Sequence, residues 1–125
     1  MFRKVDCLLL RVPDLSAALG FYRDKLGLPL AWMRPGQSAG LRLREPGSEL
    51  VLVEESGGPE TDLLVDSVDD ACREFAAAGG RCLRGPFEIP VGKVAVVADP
   101  WGNELVLIDL TKGRLRTDAD GIVVD

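Results

Sequence analysis

Two hydrophobic rhythms alternate along the chain. Residues 5–12 (Val-Asp-Cys-Leu-Leu-Leu-Arg-Val) read as a buried strand, and Pro13-Asp14 ends it with Asp14 placed to cap a helix. Apolar residues then fall at Leu15, Ala18, Leu19, Tyr22 and Leu26, which are helical intervals, and Gly27 closes the pattern. Strands are predicted over 28–33, 40–44 and 49–54, separated by the turns Arg34-Pro35-Gly36 and Glu45-Pro46-Gly47-Ser48. In 40–44, Leu41 and Leu43 alternate with arginines, the pattern of a half-exposed strand. After Ser56-Gly57-Gly58-Pro59, a linker composition, the order recurs. A strand over 61–66 leads to Ser67, which can cap a helix burying Val68, Ala71, Cys72 and Phe75 and ending at Gly79-Gly80. Strands follow over 81–83, 93–98 and 104–109, with Gly85-Pro86 as a break and Asp99-Pro100-Trp101-Gly102-Asn103 as a turn.

The recurrence extends to the letters. Glu49-Leu50-Val51-Leu52-Val53-Glu54 returns as Glu104-Leu105-Val106-Leu107-Ile108-Asp109, an offset of 104 − 49 = 55 residues. Val12-Pro13-Asp14-Leu15-Ser16-Ala17-Ala18 is echoed by Val65-Asp66-Ser67-Val68-Asp69-Asp70-Ala71, an offset of 65 − 12 = 53. Two echoes at nearly one offset imply a duplicated unit of half the chain. Each half reads strand, helix, strand, strand, strand. The expectation is therefore an α+β protein, a single domain over 1–110 made of two tandem βαβββ repeats (about 5–56 and 59–110), followed by a polar C-terminal tail, 111–125. One helix covers one face of each curved mixed sheet, and two copies together would enclose a cleft suited to a ligand.

Composition narrows the chemistry. With 125 residues, 46% of them apolar, the chain can bury a core. No apolar run approaches the roughly 20 residues of a membrane-spanning helix, and the N-terminus lacks the pattern of a signal peptide, so a cytoplasmic location is expected. A net charge of −5 disfavours nucleic acid and anionic membrane as partners. Three widely spaced cysteines, Cys7, Cys72 and Cys82, fit buried thiols in a reducing compartment better than a disulfide framework. There is no histidine. That removes the usual general base near neutral pH and the commonest transition-metal ligand.

Two stretches carry a resemblance to a known family. Arg11 to Gly27 (Arg-Val-Pro-Asp-Leu-Ser-Ala-Ala-Leu-Gly-Phe-Tyr-Arg-Asp-Lys-Leu-Gly) and Asp99 to Leu107 (Asp-Pro-Trp-Gly-Asn-Glu-Leu-Val-Leu) resemble signatures of the vicinal oxygen chelate superfamily. That superfamily holds glyoxalase I, extradiol dioxygenases, fosfomycin-resistance enzymes and bleomycin-resistance proteins. Metal-dependent members hold a divalent ion with four side chains, from the first and last strands of each repeat. Carried over, those positions are Cys7, Val51, Glu60 and Val106. Valine cannot ligate, and zinc sites normally use at least three protein ligands. The resemblance therefore implies no metal and no cofactor here, and no catalytic residue. A strand register shifted by two would substitute Glu49 and Glu104 for the two valines.

With valines in place the cleft floor is apolar: Leu9, Val51, Val53, Val106 and Ile108. Period-two parity places Asp62 on the face of Glu60. Trp32 and Trp101, the only tryptophans, could stack on a flat ligand or a cation. The expected ligand-binding residues are Cys7, Leu9, Trp32, Val51, Glu60, Asp62, Trp101 and Val106. The expected function resembles the bleomycin-resistance branch: metal-free binding of a small, planar, in some cases cationic organic molecule, as in antibiotic resistance, by a homodimer. The alternative is an enzyme of the same superfamily, a lyase, isomerase or dioxygenase, with an altered or incomplete metal site.

Overall fold

The computed structural model describes residues 1–125 and contains eight strands and two principal helices. The strands are β1 (Lys4–Val12), β2 (Leu30–Arg34), β3 (Ser38–Arg42), β4 (Glu49–Glu54), β5 (Glu60–Leu64), β6 (Arg81–Ile89), β7 (Gly92–Ala98) and β8 (Glu104–Ile108). The helices are α1 (Leu15–Leu19) and α2 (Val68–Ala77). The chain divides into two compact units. One comprises Cys7–Glu60 with Leu115–Asp125, the other Met1–Asp6 with Thr61–Arg114. No helix is long and apolar enough to cross a membrane.

In the first unit the strand order is β2-β3-β4-β1, with β4 parallel to β1 and the other pairs antiparallel. Leu15 and Leu19 of α1 pack on Ala39, Leu41, Leu50 and Leu52, joined at the margin by Leu10, Val12 and Leu30. Asp14 caps α1 as expected, its Oδ1 accepting from Ala17 N at 3.1 Å, and Glu54 Oε2 accepts from Leu15 N at 2.9 Å. In the second unit the order is β5-β8-β7-β6, again with one parallel pair, β5 with β8. There α2 buries Val68, Ala71 and Cys72 against Val65, Ala95, Val97 and Leu107, with Phe75 at the margin. Ser67 Oγ accepts from Asp70 N, and Asp69 and Asp70 lie in the first turn, where carboxylates oppose the positive end of the helix dipole.

The expected α+β, two-repeat βαβββ fold is present, with four local corrections. The first helix changes after Leu19 into a π-helical segment, Gly20–Lys25, with Leu26 N donating to Phe21 O. That wider turn carries Leu26 off the apolar stripe, and it is 58% exposed. The third strand begins and ends earlier than predicted, so Leu43 lies beyond it and is exposed. β6 runs through Gly85-Pro86, because pairing with β7 resumes after bulges beside Arg84. Cys82 is exposed rather than buried, because it sits on that edge strand. The polar tail also has a definite place. Met33 N donates to Gly121 O and Val123 N to Met33 O, so the tail pairs with the edge of β2.

Asp109 is the polar anchor of the second unit. It is 1% exposed, and its carboxylate accepts from Val68 N (2.8 Å), Lys93 N (2.9 Å) and Thr111 Oγ1 (2.9 Å), tying the start of α2 to β7 and β8. Gly92 allows this approach: a Cβ there would stand 2.2 Å from Asp109 Oδ1. Burial alone would raise the Asp109 pKa, but the donors from Val68, Thr111 and Lys93 outweigh it and hold it below the ordinary value. The folded pKa is depressed, so this stabilisation is present above the unfolded value, about 3.9, and is lost as pH falls through the folded one. Asp109→Ala should therefore cost about 3 kcal/mol in urea unfolding at pH 7. The gap to the parent should narrow below about pH 4.

Candidate functional site: the helix-free faces

Leu50 and Leu52 of β4 point toward α1, so the alternating residues Glu49, Val51 and Val53 lie on the opposite, helix-free face. Strand register places Trp32 beside Gly40, Gly40 beside Val51, and Val51 beside Leu9. These four residues form one row straight across β2, β3, β4 and β1. The neighbouring row on the same face carries Arg42, Glu49 and Cys7. Cys7 and Val51 are buried, while Trp32 and Leu9 are partly exposed.

Trp32 is held in place from two sides. Its Nε1 donates to Glu49 Oε1 at 2.9 Å, and the indole lies over Gly40, where a Cβ would stand 2.0 Å from Nε1. The side chain missing from Gly40 is therefore what lets the indole lie against the sheet. The pattern of 40–44 was visible in the sequence as a strand, and a glycine inside a strand is the signal for such close approach. Its partner Trp32 became identifiable only through the pairing of β2 with β3.

The second unit has a corresponding row. Arg84 pairs with Val96, Val96 with Val106, and Val106 with Asp62. Leu105 and Leu107 face α2, so Val106 lies on the helix-free face, as Val51 does in its own unit. Val51 thus corresponds to Val106, Leu9 to Asp62, Gly40 to Val96 and Trp32 to Arg84. The duplicated frame is retained while the chemistry along the row has diverged. Asp62 is 6% exposed.

Glutamates do not replace the valines. Glu49 is tethered to Trp32, and Glu104 is exposed at the start of β8 with Arg84 at 3.7 Å. Glu60 accepts from Arg11 Nη2 at 3.0 Å. The same guanidinium donates to Glu55 Oε2 (3.2 Å) and to Gly58 O (2.7 Å), clasping the segment that leads into β5. The Glu60 hydrogen bond, with Glu55 adding to it, raises the Arg11 pKa further. This clasp was not anticipated from the sequence, because Arg11 and Glu60 are 49 residues apart. Trp101 lies in the turn before β8, 85% exposed. The turn itself is built by Asp99, whose Oδ1 accepts from Trp101 N and Asn103 N.

The donor set does not fit a catalytic metal. Of the four positions implied by the resemblance, two are valine and a third, Glu60, is ion-paired with Arg11. Within each unit no three His, Cys, Asp or Glu side chains gather as ligands would. The faces offer apolar contact, one oriented indole and carboxylates already engaged by donors.

Comparison with known proteins agrees with this fold. Residues 4–107 match the model of the Glyoxalase/Bleomycin resistance protein/Dioxygenase superfamily. A trivalent organoarsenical cleaving enzyme of Thermomonospora curvata is 42% identical over 73 residues, 57% of this chain and 48% of that enzyme, so the chain spans about half of that relative's length. An uncharacterized protein of Pseudomonas aeruginosa is 33% identical over 117 residues, covering 77% of this chain and 81% of its own. Methylmalonyl-CoA epimerase from Mycobacterium tuberculosis superposes with a TM-score of 0.70 at 19% identity, over 86% of this chain and 88% of its own. The Streptomyces coelicolor epimerase, in complex with 2-nitronate-propionyl-CoA, gives 0.71 at 18% identity, over 93% and 100%. At such identities the two structures speak for the fold alone.

Gly40→Ala should push the indole off the sheet and break its bond to Glu49, at about 1–3 kcal/mol of stability. In a Trp101→Phe background, where Trp32 is the remaining tryptophan, its emission should shift to the red. An unchanged spectrum would contradict the Trp32–Gly40 contact.

Proposed function

Within the glyoxalase, bleomycin resistance protein and dioxygenase superfamily, to which this chain belongs, we propose that it is a metal-independent binder of small planar organic molecules, cationic ones included. The observation that carries this reading is the row Trp32–Gly40–Val51–Leu9. It sets an indole, oriented by Glu49, beside an apolar strip at the place where a metal-binding relative presents a carboxylate. Flat ligands gain from stacking on such a ring, and a cation gains from its π-face. Cys7 and Glu60 border this strip, and in the second unit Asp62 and Val106 occupy the positions that correspond to Leu9 and Val51. The net charge of −5 is in keeping with a preference for positive ligands.

A panel of planar cationic and neutral drugs, titrated against tryptophan fluorescence in chelator-treated protein, tests the reading. At least one class should quench, and Trp32→Ala should weaken the affinity for that class, measured by titration calorimetry, about tenfold, ~1.4 kcal/mol. Absence of quenching across the panel would leave the proposal without support.

A second reading, an enzyme of the superfamily, is favoured by the 42% identity with the organoarsenical cleaving enzyme. Cleavage of a trivalent organoarsenical by the purified protein would decide for it. The proposal also includes a homodimer, on the strength of the family resemblance. Sedimentation equilibrium should show twice the 13.5 kDa chain mass, and a purely monomeric species would remove the dimer from the proposal.

A further inference from the structure

Away from the helix-free faces, the second unit holds two thiols in contact. Cys72 Sγ on α2 and Cys82 Sγ on β6 stand 3.5 Å apart, and both are free. Their environments differ. Cys72 is 7% exposed within the core cluster under α2, whereas Cys82 is exposed on the edge strand. Closing the gap to a bonded distance of about 2.05 Å requires about 1.5 Å of relative movement. The place for that movement is built in, because β6 has a register bulge between Cys82 and Arg84, where the ladder to β7 is interrupted. Ten residues separate the two positions in sequence, so the bridge would close a short loop already folded around the turn after α2.

We propose that Cys72 and Cys82 form a redox modification site, in which a hydroperoxide converts the thiol pair into an intramolecular disulfide that staples α2 to the edge strand. Cys82 meets the oxidant because it is accessible. Its sulfur attacks one peroxide oxygen, the O–O bond breaks, and the released alkoxide or hydroxide takes up the thiol proton as alcohol or water. Cys82 is left as a sulfenic acid. Cys72 sulfur then attacks Cys82 sulfur; the S–S bond forms, the S–O bond breaks, and hydroxide leaves with the Cys72 proton as water. Two thiols lose two electrons in all, and one peroxide gains them. Burial, with Cys82 beside it, pushes the Cys72 thiol up to about 11, which fits its role as the second, resolving sulfur rather than the first nucleophile.

The test uses the full chain, reduced and then treated with hydrogen peroxide near stoichiometry. Titratable thiols should fall from three to one, and a non-reducing peptide map should show Cys72 joined to Cys82, with the loss of two hydrogen masses. Dithiothreitol should restore all three. In Cys72→Ser, Cys82 should stop at a sulfenic acid that dimedone traps, with no internal bridge. Three thiols persisting in the treated, folded protein would overturn the proposal. So would Cys82 advancing to sulfinic acid, or pairing between chains, while Cys72 stays free.

Discussion

The period-two alternation of β4 and β8 is the constraint on which the rest of the structure depends. In each strand two leucines must go beneath a helix, since Leu50 and Leu52 meet α1 and Leu105 and Leu107 lie in the cluster under α2. Once they do, Val51 and Val106 have no freedom left: they face the other way. A slip by one residue would bury a glutamate under each helix and expose the leucines, at a cost comparable with the stability of a domain this size. The same hydrophobic packing that builds the two units therefore decides the chemistry of their helix-free faces.

Polar groups reinforce that arrangement. Glu49 positions an indole, Glu60 is clasped by Arg11, and Asp109 joins the start of α2 to its sheet. Each carboxylate has a donor within its own unit, and none of the three is left as an ordinary metal ligand. The divergence between repeats follows the same logic. Where one row runs Trp32, Gly40, Val51, Leu9, the other runs Arg84, Val96, Val106, Asp62. The aromatic platform exists only where a glycine leaves room for it.

Much of this was legible in the sequence because it is local or periodic. Asp14 and Ser67 cap the helices they were expected to cap, and the echo between Glu49 and Glu104 marks the starts of two equivalent strands. Apart from one local irregularity in the first helix, what was not legible depends on pairing between separate elements. The π-helical segment departs from the period that Leu15, Ala18, Leu19 and Tyr22 establish, and nothing in Gly20–Lys25 announces it. β6 continues past Gly85-Pro86 because β7 offers a ladder beyond the bulge, which a turn-like dipeptide conceals. Trp32 over Gly40, Arg11 on Glu60 and Cys72 beside Cys82 are all products of strand and helix pairing.

The proposed function rests on valine, at positions 51 and 106, standing where metal-binding relatives carry a ligand. Elemental analysis of the protein, purified without chelator and exchanged into metal-free buffer, tests this most directly. It should carry far less than one equivalent of zinc, nickel, manganese or iron, and supplying these ions should leave the stability unchanged. One equivalent of any of them, lost in Glu60→Ala, would contradict it.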